Sequence, residues 1–181
     1  MVYDLPTSLE IHGREYEIRS DYRAILDICI ALSDNELNEQ SRAIVVLNIF
    51  YPDISEIPQD AWQEAVEKCI WFINGGEDEQ SQKGPRLMDW EQDFKLIAAP
   101  INRVLGKEVR SVDYLHWWSF LSAYMEIGEC TFSQVVSIRD KLAKHKKMDK
   151  SDKEWYSKNR NLVDFKRKYT EADDEFIKQW I

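Results

Sequence analysis

The sequence has 181 residues, of which 44% are hydrophobic and 31% are charged, and it carries a formal net charge of −9. These proportions are ordinary for a globular protein and exclude a wholly disordered chain. No apolar run approaches the roughly 18 to 20 residues that span a bilayer, and the first residues lack the basic flank of a signal peptide, so we expect a cytosolic protein without a membrane partner.

Charge is distributed unevenly along the chain. Residues 139–168 contain 12 Lys and Arg against 5 Asp and Glu, whereas the remainder contains 12 against 28. The sequence therefore predicts an acidic body with a basic C-terminal arm. Such a bipolar chain is suited to self-association or to acidic partners, and the simpler alternative is a basic helix that is merely solvated.

A β-hairpin is predicted near the N-terminus. Apolar side chains alternate with polar ones, which is the period of a half-buried strand. They occur on both sides of His12-Gly13, at Leu9, Ile11, Tyr16 and Ile18. Gly13 supplies the positive φ that a two-residue turn needs, and an isolated hairpin is barely stable, so it must lie against the helices or pair with another edge.

Three amphipathic helices are predicted to follow. The first begins at Asp21 and ends near Ser33, and the second ends before Pro52. The third begins at Asp60, a predicted N-cap, and ends at Gly75-Gly76. Their apolar stripes are Ile25, Ile28, Cys29 and Leu32; Ala43, Val46, Leu47 and Phe50; and Trp62, Val66, Cys69, Ile70 and Ile73.

The segment after the third helix is polar, acidic and contains three glycines. Polar segments of this composition form loops rather than helices or strands. We therefore predict a mobile linker over about residues 75–86, within a mainly helical core domain that spans residues 1–146.

Two further helices form the centre of the predicted core. The fourth begins at Asp89 and ends at Gly106, and Pro100 inside it predicts a kink, because proline lacks an amide donor. The fifth begins at residues 111–113 and has apolar side chains on most of its circumference, so we expect it to be central and nearly surrounded. Their main stripes are Trp90, Phe94, Ile97, Ile101 and Val104, and Tyr114, Trp117, Trp118, Leu121 and Met125.

The remaining chain is also predicted to be helical. A sixth helix runs from Phe132 to about Lys144, and segments 151–159 and 171–181 have sparser apolar residues. Residues 147–181 are therefore predicted to form a basic, weakly packed helical arm that orders on contact with another molecule. The predicted fold class is mainly α: a compact helical domain with a short N-terminal β-hairpin and a helical, basic C-terminal arm.

No catalytic motif, phosphate-binding loop or cofactor fingerprint is recognisable, so we expect no enzymatic activity, no cofactor and no metal. Asp89 and Asp93 share a helix face and, with nearby basic residues, are a possible divalent-metal site. The favoured interpretation is that acids at a helix N-terminus offset its partial positive charge. His116 is interpreted as a hydrogen-bonded core histidine. Buried free thiols are expected at Cys29, Cys69 and Cys130.

Nucleic-acid binding is disfavoured by the sequence. Residues 144–147 and 166–168 are dense in positive charge, and phosphate binding would require these side chains to form one face. The acidic remainder of the chain would repel the same polyanion, and no recognition-helix pattern is present.

Three stretches carry a resemblance to a known family. They are residues 5–13 with 16–18 and 20–23; residues 87–93 with Ile97, Asn102, Arg103, Gly106 and Arg110; and residues 114–120 with Tyr124, Glu126, Ile127 and Gly128. Over about residues 5–168 the sequence resembles the "gp fifteen" family of siphophages and prophages of Gram-positive bacteria. Members are similar in gene position to tail assembly chaperones, between the major tail protein and the tape measure.

The resemblance implies a non-enzymatic bacteriophage tail assembly chaperone that binds the tape measure protein, the major tail tube protein, or both. It implies action in the host cell cytoplasm and absence from the mature virion. One alternative is a structural tail or connector protein that is retained in the virion, and a second is a small nucleic-acid-binding or metal-dependent phage protein.

Exposed aromatic side chains contribute most to the energy of protein interfaces. The partner-binding candidates are therefore tryptophans, although Trp117 and Trp118 also fit the core. The candidates are Trp90, Trp117, Trp118, Trp155 and Trp180. The arm and the edge of the hairpin, which can accept a further strand, are the segments expected to face a client.

Overall fold

The computed structural model describes residues 4–78 and 84–166. In these ranges the chain forms two strands and eight α-helices, so the predicted mainly α fold with an N-terminal hairpin is confirmed. None of the described helices has the length and hydropathy needed to cross a membrane. The elements are β1 (Ser8–Ile11), β2 (Arg14–Glu17), α1 (Tyr22–Leu32), α2 (Glu39–Phe50), α3 (Trp62–Ile73), α4 (Trp90–Leu105), α5 (Trp117–Met125), α6 (Thr131–Ala143), α7 (Lys150–Lys158) and α8 (Arg160–Val163).

The N-terminal hairpin has the predicted turn. Strands β1 and β2 are antiparallel, with Leu9 opposite Tyr16. His12 and Gly13 have φ angles of 49° and 77°, and a type I′ turn requires positive φ at both central residues. Leu9, Ile11 and Tyr16 are buried in the main core, so the hairpin lies on the helical body.

One aromatic-rich core joins the hairpin to α1–α5. The predicted stripes of α1 and α2 face this core, and Ile25, Ile28 and Phe50 are fully buried. Tyr22 of α1 stacks on Phe120 of α5 with ring centroids 4.7 Å apart. These contacts place one side of α5 in the core, whereas its apolar composition predicted a helix that is nearly surrounded.

Helix α3 begins later than predicted. Asp60 lies in a 3-10 turn, Gln59–Ala61, and it does not cap α3. The Ala61 amide donates to the Pro58 carbonyl at 2.9 Å, and this three-residue spacing tightens the chain into a 3-10 turn before the α-helix starts at Trp62. The prediction of Asp60 as an N-cap is therefore wrong.

Helix α5 also begins later than predicted, because a tertiary contact holds the preceding chain extended. Asp21 and His116 form an isolated antiparallel bridge. The Trp117 amide donates to the Ser20 carbonyl at 2.8 Å, across the same contact. Residues 111–113 therefore do not start the helix, and the His116 side chain caps it instead.

The C-terminal elements pack more closely than the sequence predicted. Val135 and Ile138 of α6 form a second apolar cluster with Val163 of α8, and all three are buried. The Arg139 guanidinium donates to the carbonyl oxygens of Leu162 and Val163 at 2.9 and 2.7 Å. Arg139 and these apolar side chains thus attach α8 to α6 more closely than the prediction of a weakly packed arm implied, whereas α7 buries only Asp152.

Two predictions extend beyond the described ranges. The proposed linker includes residues 79–83, and the proposed arm includes residues 167–181, with the predicted helix 171–181 and Trp180. These residues lie outside the part of the chain that the structure describes.

Candidate interaction surface

Two tryptophans of α5 close the C-terminal end of α3. The Trp117 indole N–H donates to the Ile73 carbonyl, and the Trp118 indole N–H donates to the Phe72 carbonyl, both at 2.9 Å. The last carbonyls of a helix lack donor partners within the helix, so these indole N–H groups satisfy them. Trp117 is 1% exposed, and its side chain therefore belongs to the core and is not available to a partner.

The Gly75-Gly76 turn packs directly on these aromatic rings. Gly75 and Gly76 have φ angles of 74° and 88°, and a Cβ atom at Gly76 would lie 3.0 Å from the Trp118 ring and 3.3 Å from the Trp71 ring. A Cβ atom at Gly75 would lie 3.2 Å from Leu121. The two glycines are thus required by close packing, and they are not the beginning of a loose linker.

One face of α5 is open at the surface. The prediction that Tyr114 and Met125 face the core is wrong, because they are 53% and 72% exposed. Since α5 begins at Trp117, Tyr114 lies ahead of the helix. Met125 follows Trp118 and Leu121, which are half-buried and pack against the edge of the core. The core-facing side of the helix consists of Trp117, Phe120 and Ala123.

This open face continues onto α3. The rings of Trp71 and Trp118 meet edge to face, with centroids 5.7 Å apart. Val66, Ile70 and Trp71 are half-buried on the outer side of α3. We define the α3–α5 surface as Val66, Ile70, Trp71, Trp118, Leu121 and Met125. The contact between Trp71 and Trp118 joins its α3 and α5 parts.

A small groove lies at the α3 end of this surface. Its volume is about 240 Å³, and its lining is apolar with two acidic side chains. The Trp71 indole N–H has no hydrogen-bond acceptor among residues 4–78 and 84–166. The groove is lined by Val66, Glu67, Ile70, Trp71 and Asp78.

The remaining tryptophan candidates lie elsewhere. Trp90 is half-buried at the core edge, with ring centroids 5.3 Å from Tyr124 and 6.0 Å from Trp117. Trp155 of α7 is separate from this group and lies in an open, polar groove of about 820 Å³ between α6 and α7. The structure therefore brings Trp90, Trp117 and Trp118 together but places only Trp118 on the α3–α5 surface.

Sequence reasoning missed Trp71, which lines the groove beside Ile70. The signal was available, because residues 70–73 are four consecutive apolar residues in a helix. A helix with one buried face needs only about half of such a run for its core stripe. The excess apolar residues indicate a second apolar face.

With this geometry established, comparison with known proteins identifies a family. The family described as Bacteriophage Gp15 protein matches residues 1–165. The chain belongs to this family. The resemblance seen in the sequence is thus confirmed, and the protein is a bacteriophage protein. No curated protein and no solved structure matches the chain.

The acidic residues considered for a metal site in this phage protein have structural roles. Asp89 caps α4 by accepting from the Gln92 amide at 2.9 Å. Asp93 is fully buried and accepts two hydrogen bonds from Arg139, at 2.6 and 3.0 Å. Within the described ranges no group of three His, Cys, Asp or Glu side chains has metal-binding geometry.

His116 is a hydrogen-bonded core histidine, as predicted. Its Nδ1 accepts from the Trp118 amide at 3.0 Å, so Nε2 carries the proton that it donates to the Pro6 carbonyl at 3.0 Å. Burial lowers the pKa of His116, although the bond to Pro6 acts in the opposite direction. The neutral ring therefore joins the start of α5 to the segment before β1.

Several lysines of the basic segment are paired. The Lys141 ammonium donates to Asp152 at 2.6 Å, and Lys144 and Lys146 both pair with Asp140. These hydrogen bonds lower the pKa of both carboxyls. Part of the positive charge in residues 139–168 is thus neutralised locally, which reduces the continuous cationic face that phosphate binding needs.

The structure has the three predicted free thiols, but only Cys69 is fully buried, whereas Cys29 and Cys130 are half-buried. Burial raises the pKa of Cys29 to about 12 and raises that of Cys69 as well. Both thiols therefore stay protonated at neutral pH, and a protonated thiol is a poor nucleophile and a poor metal ligand.

Proposed function

We propose that this phage protein is a non-enzymatic tail assembly chaperone that binds the tape measure protein, the major tail tube protein, or both, during tail morphogenesis. One observation carries the proposal: the α3–α5 surface holds one exposed and five half-buried apolar side chains on a folded domain. Contiguous exposed apolar areas on soluble proteins mark interaction sites.

The proposed client, the tape measure protein, determines what the chaperone must do. A tape measure is a very long helical chain with apolar faces, and it must stay soluble until tube subunits polymerise around it. An apolar surface on a small folded protein covers such a face by helix-in-groove binding. The net charge of −9 then keeps the resulting complex soluble, and many copies along one client provide the required coverage.

The proposal places the protein in the host cell cytoplasm and excludes it from the mature virion, because tube subunits displace it. Mass spectrometry of purified particles tests this part. Absence of the protein from particles that contain the tape measure supports the proposal. A stoichiometric amount in the virion contradicts it and supports the alternative of a structural tail component.

Co-expression with the tape measure gene of the same phage tests the chaperone role directly. We expect the tape measure protein to move from the insoluble to the soluble fraction and to co-purify with this protein. A matched control is expression with an unrelated acidic protein of similar size. An insoluble tape measure in both cases would refute the proposal.

A further inference from the structure

We propose that the groove on α3 binds one face of an amphipathic helix that carries Lys or Arg beside its apolar stripe. This inference rests on the proposed function, under which the helix is a segment of the tape measure protein.

The size of the groove points to a protein partner. Its volume of about 240 Å³ is below the roughly 300 to 1,000 Å³ of small-molecule sites. The groove instead suits one or two large apolar side chains, and the apolar area continues beyond it onto Trp118 and Leu121. A ligand that fills the groove and extends along this area is a chain with several anchors.

The surface extends from one helix of the protein onto another. The Trp71 and Trp118 rings are in edge-to-face contact, with centroids 5.7 Å apart, so a partner that covers both spans α3 and α5. Apolar anchors of a docked helix recur at i, i+3, i+4 and i+7. Neighbouring turns of such a helix therefore contact the groove at Ile70 and Trp71 and then the side of Trp118 and Leu121.

The acidic residues around the surface favour a partner helix with basic residues beside its apolar stripe. Glu67 and Asp78 line the groove, and neither forms an ion pair within the described ranges. The Glu67 carboxylate accepts one hydrogen bond, from the side-chain amide of Gln63. Exposed Glu77 and Glu126 lie next in sequence to Asp78 and Met125. Charge complementarity favours a partner with basic flanks and disfavours an acidic one.

Trp71 is the expected anchor of the interface. It is half-buried in the groove wall. Its indole N–H has no acceptor among the described residues, so it can donate to the partner. Tryptophan is the residue type most enriched among interface positions whose truncation costs the most binding energy. The positively charged flanks then set orientation and association rate.

Two synthetic helical peptides test the inference. Both carry the same leucine stripe, and one has lysines and the other glutamates beside it. For the full-length protein we expect the lysine peptide to bind at least about tenfold more tightly and to weaken as salt is raised. The double charge reversal Glu67→Lys/Asp78→Lys should reverse this preference, and Trp71→Ala should weaken both peptides about tenfold or more.

Ile44→Ala is the matched control, because Ile44 is 39% exposed on α2 and is not a lining residue of the groove. It should leave both affinities unchanged. Thermal unfolding verifies that each variant is folded. If a folded Trp71→Ala protein or the folded charge-reversed protein binds both peptides as the native protein does, the inference is overturned.

Binding of the tape measure protein separates the two proposals. If the native protein binds the tape measure but Trp71→Ala and the charge reversal have no effect on it, the groove inference fails and the proposed function stands. If the lysine peptide binds as expected and the tape measure does not, the proposed function fails while the groove chemistry stands.

Discussion

His116 connects two distant segments by its two ring nitrogens. One nitrogen caps α5, and the other holds Pro6 ahead of the hairpin. Both bonds require the neutral ring with its proton on Nε2, since a protonated Nδ1 cannot accept from the Trp118 amide. The fold therefore favours the uncharged histidine.

The stability of the protein should depend on pH through His116. Because burial lowers the pKa of His116 in the folded state, the unfolded chain binds this proton first as pH falls below about 6.5. Unfolding then becomes more favourable, so the free energy of unfolding should decrease between pH 7.5 and about 5.5. Denaturant titrations across this range measure it.

The variant His116→Asn isolates this contribution. Asparagine keeps an N-cap acceptor but does not titrate, so the variant should lose most of the decrease. His12 and His145 are present in both proteins, and carboxyl groups titrate mainly below about pH 5. An identical pH dependence in both proteins would show that His116 is not responsible.

Gly76 is expected to be intolerant of any side chain. Gly76→Ala places a Cβ atom 3.0 Å from the Trp118 ring at a φ of 88°, and strained positions of this kind cost about 1 to 3 kcal/mol. Chemical denaturation should therefore show a loss of stability in this range. The change should also alter the near-ultraviolet circular dichroism of the packed tryptophans.

Gly13→Ala is the matched control for this prediction. Gly13 has a similar φ of 77°, but a Cβ atom there meets nothing within 4 Å. It reports the backbone cost alone, so the Gly76 variant should lose more. Equal losses would mean that the contact with Trp118 does not constrain the turn.

At the scale of elements, Arg139 is the junction of three helices. Its guanidinium pairs with Asp93 of α4 and donates to carbonyl oxygens of Leu162 and Val163 at the end of α8. It also donates to the Leu87 carbonyl, and the Phe165 ring lies 4.2 Å from its Cζ atom. This one side chain thus fixes α6, α8 and the start of α4.

Arg139→Met should be strongly destabilising. Removing one partner of a buried ion pair leaves the other charge uncompensated, at a cost of about 3 to 5 kcal/mol. Urea denaturation of the variant measures the loss. Lys144→Met removes an exposed ion pair with Asp140 and should cost much less.

A second variant tests the same ion pair without leaving an unpaired buried charge. Asp93→Leu/Arg139→Met removes both charges, and replacing a buried ion pair with apolar side chains is often neutral or stabilising. The double variant should therefore recover stability relative to Arg139→Met alone. A single variant as stable as Lys144→Met would contradict the assigned role of the pair.

Most elements could be predicted from the sequence because their signals are local. The stripes of α1 and α2 and the caps at Asp21 and Asp89 depend on residues within a few positions of each other. The start of α5 could not be predicted, because it depends on a bridge between Asp21 and His116. No local pattern encodes a contact between positions that far apart.

The candidate site was predictable in part. The aromatic content of residues 114–120 indicated that Trp118 matters, and the structure places it on the α3–α5 surface. Which side of α5 is covered depends on where that helix begins, so the sequence wrongly predicted Met125 to face the core. The α3–α5 surface depends on the contact between Trp71 and Trp118, and these residues are 47 positions apart in the sequence.

At the scale of the whole molecule, structural and interaction features are separated. The hairpin and α1–α5 form one core, and a second cluster attaches α7 and α8 to α6. The α3–α5 surface belongs to the acidic body, whereas the basic segment lies in α6–α8. A client with basic flanks is therefore expected to contact the body and to leave α7 and α8 unoccupied.

Hydrogen–deuterium exchange of the protein, with and without the tape measure protein of the same phage, shows which surface binds the client. We expect slower exchange in residues 66–78 and 118–125 on binding, with α7 and α8 unchanged. Slower exchange confined to α6–α8, or no change anywhere in the presence of soluble tape measure protein, would contradict this expectation.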